Sequence, residues 1–216
     1  MAAAIVFAAA QLHPTHRLKV RLSQIEPKPF IVAADAGAST ALAFGLEPDV
    51  VIGDFDSLDP QTLARLKQAQ VPIETFPRDK DATDGQLAIE RALQTRPSEL
   101  WLLGFLGGPR LDQTLANVLL LADLEVPAIM LDERNEARVL RSGGSYSWRA
   151  EPSEVVSLIP IGGDVTGVRT QGLRWPLDGE TLKAGDTRGV SNEPSGNNVH
   201  VAIDEGVLLV TRHFAA

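Results

Sequence analysis

Asp49-Val50-Val51-Ile52-Gly53-Asp54-Phe55-Asp56-Ser57 is the stretch on which the fold turns. A short apolar run with no polar alternation ends on a glycine, two carboxylates follow at once, and Pro60 then opens a helix. A strand apolar on both faces is buried on both, which is the condition of a parallel sheet covered by helices. In such sheets ligands bind outside the carboxyl ends of the strands, so Gly53 to Asp56 stand where a ligand would meet the sheet.

Outward from this segment the same alternation repeats. Strands are predicted at Ala4–Ala9, Phe30–Ala34, Val50–Ile52, Ile73–Phe76, Leu100–Phe105 and Ala128–Leu131. Helices are predicted at Gln61–Gln68, from a cap at Thr83 or Asp84 to about Gln94, and over Leu111–Asp123, where Leu115, Leu119 and Ala122 mark a buried face. Beyond Asn135 glycines multiply, the runs shorten and β-favouring residues dominate, as in Val155–Pro160, Val199–Ile203 and Val207–Thr211. The fold class is therefore α/β: a parallel-sheet domain over residues 1–134, then an all-β domain over 135–216. Turn residues at Leu177-Asp178-Gly179 and Asp204-Glu205-Gly206 suit meander or sandwich connections.

Composition narrows the function classes. With 44% hydrophobic residues the 216-residue chain is long enough to bury real cores. A net charge of −8 argues against a nucleic-acid binder, so an anionic ligand must be met locally, by a metal or by backbone amides. The absence of cysteine removes disulfides and thiolate chemistry and fits a reducing, cytoplasmic setting. The apolar Met1 to Ala10 has no basic flank and is too short to span a bilayer, so no membrane role is expected. His13, His16, His200 and His213 have no metal-triad spacing, and Ser57 and Ser191 lack a histidine partner in sequence.

Three further polar segments share the strand-end address of Asp54 and Asp56: Asp35-Ala36-Gly37-Ala38, the run from Arg78 through Asp79, Lys80, Asp81 and Thr83 to Asp84, and Gly104 to Asp112. In an extended segment Asp54 and Asp56 leave the same face and can share one ion, with Asp81 completing the set. Hard oxygen ligands without histidine or cysteine suit Mg²⁺, which keeps several waters and shares substrate phosphates. Two carboxylates about 4 Å apart repel by roughly 4 kcal/mol at an effective dielectric near 20, a cost that a cation removes. Asp59, before Pro60, reads instead as a helix cap. Gly107-Gly108-Pro109-Arg110 leads into the Leu111 helix, whose free N–H groups and positive end suit an anion, with Arg110 able to add a bidentate phosphate contact. Neither a P-loop nor a G-x-G-x-x-G fingerprint is present.

Taken in order, Asp35-Ala36-Gly37-Ala38, Gly53-Asp54-Phe55-Asp56-Ser57-Leu58, Asp79-Lys80-Asp81-Ala82-Thr83-Asp84 and the run Gly107 to Asn117 resemble the thiamine pyrophosphokinase family. So do Gly172-Leu173-Arg174-Trp175-Pro176-Leu177 and Gly189-Val190-Ser191-Asn192-Glu193 in the β-rich part. The resemblance implies a Rossmann-like ATP-binding α/β domain, a C-terminal β-sandwich that binds thiamine, and a homodimer with the active site at the subunit interface. It implies transfer of diphosphate from ATP to thiamine with Mg²⁺ held by Asp54, Asp56 and Asp81. Asp84 joins these as a catalytic candidate. Asp35, Gly37, Thr83, Arg110, Asp112, Gln113 and Asn117 match nucleotide-site positions; Trp175, Ser191 and Asn192 match the vitamin segments. Ala36, Ser39 and Gln113 depart from the family's usual residues and leave the role of Gln113 open. Two alternatives stand beside this reading, a pyrophosphokinase for another hydroxymethyl heterocycle such as a pterin and a non-enzymatic thiamine or nucleotide sensor. Trp101 and Trp148 read as core.

Overall fold

The computed structural model describes residues 2–56 and 58–215, so Ser57 lies outside the described residues. The chain divides into two compact units, one running to Leu120 and resuming over Leu124–Glu133, the other made of Leu121–Asp123 and the chain from Arg134 onward.

In the first unit β1 (Ala4–Phe7), β2 (Phe30–Ala34), β3 (Val50–Gly53), β4 (Ile73–Thr75), β5 (Leu100–Leu103) and β6 (Ala128–Leu131) lie in the order β4-β3-β2-β1-β5-β6. All the pairings are parallel, with Ile5 set against Ile31 on one side and Trp101 on the other. Alternate residues feed opposite layers: Ile5, Phe7, Ile31, Ala33 and Val51 pack with Leu18, Leu22, Ala38, Ala41 and Leu66 from α1 (His16–Ser23), α2 (Gly37–Ala43) and α3 (Pro60–Gln68). The opposite face is crossed by α4 (Asp84–Leu93), which buries Ala88, Ile89 and Ala92. Burial on both faces is why these strands are continuously apolar. Edge strand β4 is shorter and only partly buried. Asp59 does cap α3, accepting from the backbone N–H groups of Gln61 and Thr62 at 3.0 Å.

Helix α5 (Leu111–Asp123) has the expected bounds but not the expected face. Leu115 and Leu119 are 56% and 59% exposed, and Leu111 is 70% exposed. The side turned inward carries Thr114, Asn117, Val118 and Leu121. Two of these are polar, and both are satisfied: Thr114 donates to the Gly107 carbonyl at 3.1 Å and Asn117 to the Phe105 carbonyl at 2.8 Å. Leucine spacing finds an apolar stripe on a helix, but where polar side chains have buried partners a second stripe can face the core instead.

The second unit holds two antiparallel sheets, β7 (Asn135–Arg141), β13 (Val207–His213) and β9 (Val155–Pro160) in one, and β11 (Asp178–Leu182), β10 (Val165–Gln171), β12 (Asn198–Ala202) and β8 (Ser145–Arg149) in the other. Alternating residues from both, among them Leu140, Val156, Leu158, Leu208 and Val210 against Trp148, Val168, Val199 and Val201, make one sandwich core. Asp204-Glu205-Gly206 forms the connection between β12 and β13, whereas Asp178 and Gly179 begin β11 instead of turning before it. Trp101 and Trp148 are both core residues.

Candidate active site

The order of the parallel sheet reverses between β1 and β5, so the loops after these two strands flank its topological switch point. Glycines let the chain crowd there: a Cβ on Gly37 would stand 2.3 Å from the Phe7 carbonyl oxygen, and one on Gly104 2.4 Å from that of Ala8. Neither position admits a side chain.

Beside this point the acidic residues form a corner. Asp35 follows β2 with φ 44°, is 8% exposed, and accepts from the Phe55 N–H at 3.1 Å. Gly53, with φ 147°, is the floor beneath it, because a Cβ there would fall 1.8 Å from the Asp35 Oδ1 atom. Burial pushes the Asp35 carboxyl up to about 6; the charges of Asp84 and Asp54 add to the rise and the Phe55 N–H opposes it. Asp35, Asp54 and Asp84 are thus brought together from three segments. Asp84, at the start of α4, is ion-paired with Lys80 at 2.9 Å, and the Lys80 ammonium also donates to the Pro77 carbonyl at 3.2 Å. Lys80 is the site residue that motif reading passes over; its signal is the i,i+4 spacing to Asp84. Thr83 caps α4 by accepting from the Gln86 N–H at 3.1 Å.

Asp54 and Asp56 do not project side by side from an extended strand. Phe55 has φ 62°, which breaks the extension, and the Asp54 carboxylate folds back to accept from the Asp56 N–H at 3.1 Å. That N–H, with the charges of Lys80 and Arg78 behind it, holds Asp54 below the usual carboxylate range. Asp56 is exposed and 3.9 Å from the Arg78 guanidinium, and Asp81 is exposed on the loop before α4. Among the described residues no three histidine, aspartate or glutamate side chains are gathered into a preformed metal cage. The donor chemistry nonetheless fits Mg²⁺, which takes one or two ionised carboxylates and fills its remaining positions with water and phosphate oxygens.

After β5, Gly107 and Gly108 take φ of 75° and 80°; a Cβ on Gly107 would meet nothing within 4 Å, and one on Gly108 only the Ala10 Cβ at 4.0 Å. Arg110 precedes α5 and its side chain makes no capping hydrogen bond, while the Asp112 carboxylate leans on the N–H groups of the first turn. Its guanidinium is not free: Nε donates to Asp112 Oδ1 at 2.8 Å and Nη2 pairs with Oδ2. These hydrogen bonds hold Asp112 down to about 2. Gln113 is exposed on the first turn, and Asn117 serves the loop from below through Phe105.

In the second unit Trp175 is 52% exposed, with the Arg174 guanidinium 4.8 Å from its ring centroid and paired at 3.0 Å with Glu193. Ser191 is exposed at φ 62°, its N–H given to the Ser157 hydroxyl at 3.1 Å. Asn192, by contrast, is buried, and both ends of its amide are engaged with the chain.

Residues 23–131 match the family described as thiamin pyrophosphokinase, catalytic domain, and residues 148–208 match thiamin pyrophosphokinase, vitamin B1 binding domain. The chain belongs to the thiamin pyrophosphokinase family. It is 28% identical over 184 residues to the thiamine pyrophosphokinase of Bacillus subtilis, covering 84% of this chain and 86% of that one. It is 28% identical over 192 residues to thiamin pyrophosphokinase 1 of Caenorhabditis elegans, covering 82% and 76%. A solved thiamin pyrophosphokinase from Geobacillus thermodenitrificans superposes with a TM-score of 0.82 at 29% identity, over 100% of this chain and 99% of that one. The solved Bacillus subtilis structure gives 0.86 at 24% identity, over 99% and 100%, and shows the shared fold. The two family matches divide as the architecture does: the catalytic one falls on the helix-covered parallel sheet with its acidic corner, the vitamin one on the sandwich that carries Trp175. Among the described residues of this thiamin pyrophosphokinase family member no helix is long and apolar enough to cross a membrane.

Proposed function

We propose that the chain transfers the diphosphate group of ATP to the hydroxyl of thiamine. The hydroxyl oxygen bonds to the β-phosphorus and gives up its proton to solvent, the bond from that phosphorus to the oxygen bridging the α-phosphate breaks, and AMP leaves with thiamine diphosphate as the other product. The observation that carries the reading is the convergence of Asp35, Asp54 and Asp84 at the strand ends of a domain matching the family's catalytic model. Lys80 answers Asp84, but the buried Asp35 beside two further carboxylates at a switch point leaves an excess of negative charge that a cationic partner would offset.

The first unit takes ATP. Gly107, Gly108 and the start of α5 receive phosphate oxygens on backbone N–H groups, and the Arg110 fork exchanges Asp112 for phosphate. Gly37, Thr83, Gln113 and Asn117 shape the walls around them. Asp54, Asp56 and Asp81 hold magnesium, which when bound offsets charge on the phosphate oxygens. Asp35 supports the Asp54 turn from beneath through the Phe55 N–H, and Asp84 fixes Lys80 beside it. The second unit takes thiamine, with Trp175 as the aromatic surface for a flat cationic ligand and Ser191 as a polar contact. The match to a vitamin B1 binding domain favours thiamine over a pterin. The chain acts in the cytoplasm as a homodimer; the ridge of Leu111, Leu115 and Leu119, one turn apart on α5, is the apolar surface that a second copy would cover.

Asp54→Asn tests the metal reading. With ATP, thiamine and a magnesium titration, AMP release should fall by about a hundredfold or more. A near wild-type rate at saturating magnesium would remove Asp54 from the metal site.

A further inference from the structure

We infer that Asn192 is a positioning residue that sets Trp175, and that it acts on thiamine only through that indole. The inference rests on the reading of Trp175 as the thiamine surface. Asn192 is 9% exposed, so most of its side chain is withdrawn from any ligand. Its Oδ1 atom accepts from the Trp175 N–H at 3.2 Å and from the Glu193 N–H at 2.9 Å, while Nδ2 donates to the Trp175 carbonyl at 2.7 Å. One amide therefore satisfies both backbone groups of the residue whose ring is half out in solvent. Carboxamide is the side chain suited to this task, since it alone offers an acceptor and a donor fork of that size.

The clasp is itself anchored. Asn192 exchanges two backbone hydrogen bonds of 2.8 Å with Val156 on β9. Gly189 packs against the same strand so closely that a Cβ would stand 2.1 Å from the Leu158 carbonyl oxygen. On the far side Arg174 N–H donates to the Glu193 carbonyl and Ser195 N–H to the Gly172 carbonyl, each at 2.8 Å. The Trp175 loop is thereby tied through Asn192 to the edge of a sheet, which is how a side chain on a loop acquires a fixed direction.

The test uses the intact protein with Asn192→Ala, Asn192→Asp, Trp175→Ala and the double variant. Asn192→Ala should raise the thiamine KM about tenfold with the ATP KM unchanged. Asn192→Asp, which keeps the acceptor, should fall between Ala and wild type, and it carries the test if the alanine variant fails to fold. In the Trp175→Ala background the Asn192 change should add nothing further to the thiamine KM, because a residue acting through Trp175 has nothing left to act on. Trp101 and Trp148 are buried, so quenching of fluorescence by acrylamide reports Trp175, and it should change in Asn192→Ala without any ligand present. Additive KM effects with unchanged quenching would make Asn192 a direct contact and overturn the inference. Unchanged quenching and unchanged KM would do so as well. If Trp175→Ala alone leaves the thiamine KM untouched, the thiamine surface is wrong, and the quenching still decides whether Asn192 sets the indole.

Discussion

The two units each carry a cluster of charge, and the clusters are built on opposite plans. In the sandwich Arg212, Glu154 and Glu136 are 3%, 1% and 1% exposed, yet every charge has its partner. Arg212 reaches Glu154 through Nε at 2.8 Å and Nη2 at 2.9 Å, and Glu136 at 3.4 Å, while Arg138 Nε supplies the second cation by donating to Glu136 at 3.3 Å. Trp148 Nε1–H donates to Glu154 at 2.7 Å, and the Tyr146 hydroxyl to Glu136 at 3.0 Å. Burial alone would draw the Arg212 guanidinium down, but the Glu154 hydrogen bonds and the two carboxylate charges hold it above its ordinary range. At the strand ends of the first unit the carboxylates are in excess: Asp35 is buried beside Asp84 and Asp54, and Lys80 is ion-paired with Asp84. A balanced buried cluster needs nothing from outside and belongs to the architecture. An unbalanced one carries an excess of like charge that a bound cation would offset.

The balanced cluster should fail when one charge is taken away. Glu154→Gln leaves a buried guanidinium short of a carboxylate and should cost about 3–5 kcal/mol, read as a lower midpoint in urea unfolding. Replacing the pair together, Glu154→Leu with Arg212→Met, should recover part of that loss, since Glu136 keeps Arg138 at 3.3 Å and the Tyr146 hydroxyl when Arg212 is gone, while the Trp148 Nε1–H loses its acceptor. If the single and double variants are equally destabilised, the ion pair is not what holds the β9 and β13 region.

The unbalanced cluster should respond with the opposite sign. Asp35 has its carboxyl raised from an ordinary 3.8 to about 6, so folding disfavours its ionised form and stability is lost as pH rises through that interval. Asp35→Asn keeps an acceptor for the Phe55 N–H and removes the charge. Measured in EDTA at pH 8, it should stabilise the protein by about 2 kcal/mol while lowering thiamine diphosphate formation. Near pH 4 the stabilisation should vanish, because the wild-type carboxyl is then largely protonated. A destabilised variant at pH 8 would show that Asp35 is held by a partner charge and that the two clusters are alike after all.

Much of this contrast is legible in the chain itself. Phe30–Ala34 and Ala128–Leu131 are apolar at every position and occupy β2 and β6 without adjustment, because total burial leaves composition as the only signal needed. The strand-end placement of Asp54 follows from the apolar run before it. What does not follow are facts set by neighbours distant in sequence. The left-handed turn at Phe55 depends on the Asp35 carboxylate, 20 residues away, accepting its N–H. The inward face of α5 depends on carbonyls of Phe105 and Gly107 that take up Thr114 and Asn117. The link between Asn192 and Trp175 spans 17 residues and exists only once both loops lie on the sheet edge. Periodicity reports what a side chain is, and these details depend on what it meets.

The smallest expected effect falls on the border between the two kinds of role. Thr83 lies in the acidic motif, but its hydroxyl caps α4 through the Gln86 N–H. Thr83→Ala should therefore cost about 1 kcal/mol in urea unfolding whatever happens to activity, and Thr83→Ser should restore it, because serine caps as well as threonine. The same helix end carries Asp84, so loss of the cap loosens the residue that fixes Lys80. If the serine variant recovers stability and turnover together, Thr83 serves the site only by holding the helix start. Stability recovered without turnover would instead mean that the threonine methyl group packs against the nucleotide, and Thr83 would move from the scaffold to the ligand surface.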